Sequence, residues 1–142
     1  MLRPCKYLNV IKMCLHNTFP CRFGHQNPIT SIDAFFKERA LTSGGVDGTL
    51  RIWKIVEESQ LVFNGRQGSI DTVRFVNEET FLSCSDDGSL CTWSASKKKP
   101  IGHYKLAHGT APTGVPNWIS AIACFINTDL IASGSCDGFI RV

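Results

Sequence analysis

The 142-residue chain has the length of one ordinary domain, and 43% hydrophobic against 19% charged residues allows a packed core and excludes wholesale disorder. Its net charge of +3 does not signal a broad basic face, because Arg3, Lys6, Lys12 and Arg22 all precede the first acid, Asp33, and leave the rest near neutral. Seven cysteines without a C-x-x-C pair suit neither a zinc site nor a secreted disulfide framework and point to a reducing compartment; the apolar runs are too short to span a bilayer, and no signal-peptide h-region opens the chain.

Residues 1–18 fit no repeat and are expected to lie outside the fold, whereas residues 19–142 are periodic. Phe19–Phe23 reads as an outer strand left over from a preceding unit. The first unit, about residues 24–63, opens on Gly24-His25 and contains four apolar or alternating runs, Ile29–Phe35, Ala40–Ser43, Leu50–Ile55 and Leu61–Phe63, each bounded by turn residues. Between the second and third runs stands Asp47-Gly48, a pair that supplies positive φ for a tight hairpin. The run Leu41-Thr-Ser-Gly-Gly-Val-Asp-Gly-Thr-Leu-Arg-Ile-Trp53 closes on a tryptophan.

The second unit, about residues 65–106, opens on Gly65-Arg66 and repeats the pattern as Leu82-Ser-Cys-Ser-Asp-Asp-Gly-Ser-Leu-Cys-Thr-Trp93. Cys91, and Cys124 further on, sit inside apolar strand patterns and read as small core residues. Between the third and fourth strands lies Ser94–Pro100, which carries Lys97, Lys98 and Lys99, the only dense basic run. The third unit, about residues 107–142, opens on Ala107-His108. It carries the extra stretch Gly109-Thr-Ala-Pro-Thr-Gly-Val-Pro-Asn117 before its first strand, and ends in Ile131-Ala-Ser-Gly-Ser-Cys-Asp-Gly-Phe-Ile-Arg-Val142 without an outermost strand. The Asp-Gly pairs at 47–48, 87–88 and 137–138 therefore stand 40 and 50 residues apart. A four-strand unit recurring at about 40 residues is the signature of a propeller blade.

Chemistry finds no foothold in this pattern. No G-x-S-x-G elbow and no phosphate-binding G-x-x-x-x-G-K-[ST] occurs. His25 and His108 recur at matching places, which a structural repeat explains and a single active site does not. The pairs Glu57-Glu58 and Glu78-Glu79 fall in predicted turns, where solvated charge is the simpler reading.

These residues resemble the WD40 family over about residues 19–142. The resemblance implies an all-β partial WD40 β-propeller, about three four-stranded blades in an incomplete ring, and no enzyme, cofactor or metal. In that family a His, a strand Ser or Thr, the turn Asp and the Trp form a buried network that locks each blade. Carried over position by position, the network is His25, Ser43, Asp47 and Trp53 in the first blade. In the second it is Ser83, Asp87 and Trp93, with Arg66 in place of the histidine and an Arg66–Asp87 pair as its conceivable substitute. In the third it is His108, Ser133 and Asp137. The stretches between these positions, including Arg51–Ile55, Glu57–Phe63, Gly65–Asp71, Asn77–Glu79, Ser96–Pro100 and Asn127–Leu130, are similar to the WD40 proteins of the U3 small nucleolar ribonucleoprotein. That similarity implies U3 snoRNA and processome proteins as partners, a nucleolar location, a role in pre-rRNA processing and 18S rRNA maturation, and neither a membrane nor a small-molecule substrate. The other reading of the same blades is a protein–protein scaffold in a different complex. Two departures from the repeat are the candidate contacts: Lys97, Lys98 and Lys99 for phosphate, and the 109–117 insertion on the opposite rim. Open sheet faces lead us to expect that the chain is a piece of a longer ring and self-associates on its own.

Overall fold

A computed structural model describes residues 24–35, 39–54, 56–57, 59–65 and 68–142. The N-terminal segment 1–18, the expected strand at Phe19–Phe23 and Arg66 lie outside them. Among the described residues there are strands and turns and no helix.

Three antiparallel sheets follow one another along the chain. The first is β1 (Ile29–Phe35), β2 (Arg39–Gly44), β3 (Thr49–Lys54) and β4 (Ser59–Asn64), in that spatial order. The second is β5 (Ile70–Phe75), β6 (Thr80–Ser85), β7 (Leu90–Ser94) and β8 (Gly102–Tyr104). The third has β9 (Ile119–Cys124), β10 (Ile131–Ser135) and β11 (Ile140–Arg141). This is the up-and-down order expected of blades, and the set does not close into a ring. Each innermost strand carries a register shift near its start, between Ile29 and Ser31 and between Ile70 and Thr72; in the third sheet the shift falls opposite β9, between Gly134 and Ser135.

Apolar residues face sideways, into the seams between sheets. The seam between the first and second blades contains Phe35, Leu41, Leu50, Ile52, Phe63, Ile70, Val73, Phe75, Phe81, Cys91 and Trp93. Its rings interlock: Phe63 meets Phe81 edge-on at 5.1 Å between centroids, and Phe81 stacks on Trp93 at 6.1 Å and 5°. The seam between the second and third blades is thinner and aliphatic, built on Val76, Leu82, Cys84, Leu90, Ile119 and Ile122.

Hydrogen bonds cross both seams. The Asp33 carboxylate in β1 accepts the Phe75 N–H at 2.8 Å, and the Cys124 thiol in β9 donates to the Phe75 carbonyl at 2.9 Å. Phe75 is thus held from both neighbouring blades. The Thr72 hydroxyl donates to the Ser120 carbonyl at 3.1 Å, and the Cys84 thiol to the Ile119 carbonyl at 3.4 Å. Buried and half-buried polar groups of β1, β5, β6 and β9 thereby find partners in the adjoining blade.

Candidate functional site

The polar interior of the first blade is a relay from the core to the turn. The Trp53 indole N–H donates to the Thr42 hydroxyl at 2.9 Å, and Thr42 lies 2.8 Å from His25 Nε2. On the other side of the ring, His25 Nδ1 is 2.9 Å from the Asp47 carboxylate, whose second oxygen accepts the Thr49 N–H at 2.9 Å and its hydroxyl at 3.0 Å. One assignment of protons satisfies every member: Thr42 donates to Nε2, and Nδ1–H donates to Asp47. Burial pushes the Asp47 carboxyl up, but the Thr49 N–H, the His25 ring and the Thr49 hydroxyl outweigh it and hold the group below the usual carboxylate range. Gly44 makes room for this pair, since a Cβ there would fall on the Asp47 carboxylate and the His25 ring.

Ser43, expected in this network, is elsewhere. It is buried, with its hydroxyl 2.9 Å from that of Thr30 and 3.4 Å from the Ser31 carbonyl. The physical reason is one extra residue between strand and turn. β2 and β3 pair Ala40 with Trp53 as β6 and β7 pair Phe81 with Trp93, so Thr42, two residues on from Ala40, is the counterpart of Ser83. Counting back from Asp47 instead lands one residue late. The signal was present in the sequence: Leu41 to Trp53 is one residue longer than Leu82 to Trp93. Thr49, which ties the turn to His25 at 3.1 Å, was not singled out at all.

In the third blade His108 is fully buried, with Nε2 2.9 Å from the Ser133 hydroxyl and Nδ1 3.0 Å from Asp137. The Phe139 N–H is the main influence holding the Asp137 carboxyl below its ordinary range; burial opposes it, and His108 and Arg141 assist. In the second blade the inner half of the relay lies among the described residues. Trp93 donates to Ser83 at 2.9 Å, whereas Asp87 is exposed and its carboxylate accepts the Ser89 N–H at 2.8 Å. Beside Trp93 lies a cavity of about 10 Å³, lined by Gly65, Ser83, Ser85, Ser89 and Trp93 among others. That is room for about one water. Arg66, the expected substitute, lies outside the described residues.

Two rims flank these interiors. One carries the loops 76–79, 95–101 and 125–130, and here Lys97, Lys98 and Lys99 are exposed. The Ala95 N–H donates to the Glu79 carbonyl at 2.7 Å, so the lysine loop is fastened beside Glu78 and Glu79. The opposite rim carries the Asp-Gly turns and the connectors, including the insertion. On this rim the Gly65 N–H donates to the Gly48 carbonyl at 2.7 Å and the Ala107 N–H to the Gly88 carbonyl at 3.0 Å, the same stitch repeated one blade on. Among the described residues no group of three or more His, Cys, Asp or Glu could hold a metal ion, and no helix is long and apolar enough to cross a membrane.

Comparison with known proteins gives a consistent result. The family "WD domain, G-beta repeat" matches residues 14–54, 57–94 and 106–142. A WD repeat-containing protein of Schizosaccharomyces pombe is 40% identical over 149 residues, covering 84% of this chain and 28% of the relative. The Mus musculus protein named U3 small nucleolar RNA-interacting protein 2 is 48% identical over 89 residues, 61% of this chain and 19% of its own length. A solved structure of the WD40 repeats of RRP9 superposes with a TM-score of 0.80 at 48% identity, covering 84% of this chain and 37% of that one. The chain thus spans well under half the length of the relatives it matches.

Proposed function

The chain belongs to the WD40, G-beta repeat family, and from that membership we propose that its blades are a non-catalytic scaffold of a U3-type small nucleolar ribonucleoprotein, acting in the nucleolus on pre-rRNA for 18S rRNA maturation. The observation that carries this reading is the 48% identity to a relative named for its interaction with U3 small nucleolar RNA. His25, Asp47, Trp53, Ser83, Trp93, His108, Ser133 and Asp137 serve it as internal struts, with Thr42 in the place first given to Ser43. Their side chains face one another across each blade, so none is offered to a ligand.

RNA contact belongs on the lysine rim. Lys97, Lys98 and Lys99 project from an anchored loop, and phosphate recognition by such residues is independent of sequence and sensitive to salt. Glu78 and Glu79 lie on the same rim, which confines the footprint to the loop itself. Capture of the full-length chain followed by sequencing of bound RNA should retrieve U3 snoRNA. Reversal of the three charges to Glu should weaken that association and lower the slope of log affinity against log salt by roughly 2–3. Retention of affinity and slope at several salt concentrations would exclude the loop. Failure to retrieve U3 from the unaltered chain would favour a protein–protein scaffold of another complex on the same blades.

A further inference from the structure

The connector joining the second and third blades is a built element. The Ala111 N–H donates to the Val115 carbonyl and the Gly114 N–H to the Ala111 carbonyl, both at 2.8 Å, while Thr110 and Pro116 form a β-bridge. Gly109 and Gly114 take φ of 70° and 81°, which a side chain would resist. Asn117 fastens this small hairpin to the blade: its side-chain amide donates to the carbonyl of buried His108 at 3.0 Å and its N–H to the Gly109 carbonyl at 3.1 Å. The hairpin leans on the Asp86–Gly88 turn of the second blade, where a Cβ on Gly88 would come within 2.9 Å of the Asn117 carbonyl.

This fixed element holds apolar groups in water. Val115 is 59% exposed, Trp118 53% and Leu106 44%. Trp118 is anchored by its backbone, its carbonyl accepting the Ser135 hydroxyl at 2.8 Å and the Cys136 N–H at 3.2 Å. Ser69 holds the corresponding place before β5, and a Cβ on Gly45 of the preceding blade would lie 3.1 Å from its hydroxyl. Trp118 takes the same place in the third blade, directly after Asn117, whose carbonyl approaches the Asp86–Gly88 turn. The charge here is opposite to that of the lysine rim. Asp86 and Asp87 are exposed and Asp71 is half-buried beside them, while the exposed cations here are Lys105 and Arg141, the latter 3.8 Å from Asp137.

We propose that Trp118, Val115 and the Asp86–Asp87 turn form a docking surface for an extended protein segment bearing an aliphatic or aromatic side chain flanked by Lys or Arg. Carboxylates beside an exposed indole favour a basic peptide and repel phosphate, so RNA is not the occupant of this rim. The proposal is independent of the RNA reading, since the two rims are separate and their charges differ.

The test uses the full-length chain and fluorescent dodecapeptides with Leu or Phe at the centre, flanked by Lys and Arg, by Glu, or by Ser, beside a single-stranded oligoribonucleotide of matched length. The basic-flanked peptides should bind, with affinity falling as salt rises. Trp118→Ala should weaken them about tenfold and Asp86→Asn with Asp87→Asn about threefold, while Trp118→Phe retains most of the affinity. Because Trp118 is largely exposed, the melting temperature of Trp118→Ala should stay within about 2 °C of the parent's, as for surface substitutions generally. Equal binding of the Glu-flanked peptides or of the oligoribonucleotide, absence of binding by any basic peptide, or an unchanged affinity in Trp118→Ala would overturn the proposal.

Discussion

Thr42→Val tests whether the relay in the first blade stabilises the fold or merely occupies it. The substitution keeps the shape of the side chain and removes its hydroxyl, which sits 2.9 Å from Trp53 Nε1 and 2.8 Å from His25 Nε2. Both partners then lose this hydroxyl neighbour, within a site where Thr42 and His25 are almost completely enclosed. An unsatisfied buried polar group costs about 1–3 kcal/mol. Trp53 is only half-buried and recovers part of its loss from water, so we place the total at about 3 kcal/mol. For a chain of this size that corresponds to a fall of about 10 °C in Tm. Thr42→Ser keeps the hydroxyl and gives up one methyl group, at about 1 kcal/mol. Ser43→Ala, which spares the relay and removes bonds to Thr30 and Ser31, should cost about 1 kcal/mol. Urea unfolding of the full-length variants, followed by tryptophan fluorescence, separates the three. Losses of equal size for Thr42→Val and Thr42→Ser would refute the reasoning, because packing and not the hydroxyl would then be responsible. So would a larger loss for Ser43→Ala, which would restore the register first read from the sequence.

The depressed carboxyls of Asp47 and Asp137 fix the sign of the acid response. Since their folded values lie below the unfolded ones, their contribution is complete above the ordinary carboxylate range near pH 4 and is lost as pH falls through the folded values. Tm should therefore hold level from about pH 7 to 5 and drop below about pH 4, and Asp47→Asn combined with Asp137→Asn should lower the neutral plateau and flatten that acid limb; a double variant with an unaltered limb would assign the response to other groups. In the second blade Arg66→His should supply the missing ring beside Ser83 and Asp87 and raise stability by about 1 kcal/mol, measured as a rise of a few degrees in Tm. A fall in Tm would show that the cavity beside Trp93 is not the place such a ring would take.

The blades themselves were legible in the sequence because their determinants are local. Each Asp-Gly turn, each alternating run and each closing Trp is specified within a dozen residues, and the up-and-down order then placed the lysine loop and the insertion on opposite rims. Strand limits came within two residues of those observed in the first blade. In the first blade the hydroxyl of the relay is that of Thr42, one position before Ser43, because the extra residue ahead of the first turn is absorbed at Gly44-Gly45 without disturbing the hydrophobic pattern. What no local pattern could reveal are the bonds across the seams. Asp33 and Phe75 are 42 residues apart and Phe75 and Cys124 are 49, so nothing in the neighbourhood of either cysteine or acid announces its partner. Cys124 consequently read as a small core residue when it is also a donor to the preceding blade's backbone.

The double grip on Phe75 bears on the order in which the molecule assembles. Strand pairing inside a blade joins residues close in sequence and closes short loops, whereas each grip on Phe75 spans a whole repeat and carries a larger entropic cost of closure. A finished blade repays that cost by presenting its innermost strand as a ready template, so each unit is best laid down on the one before it, as in a one-dimensional array with nearest-neighbour coupling. The two couplings are unequal. The first seam locks through interleaved aromatic rings and the second through a thinner aliphatic layer. The third blade is therefore coupled to the second less tightly than the second is to the first. Amide hydrogens of β10 should accordingly exchange ahead of those of β2 and β6, the difference reporting how strongly one blade instructs the next.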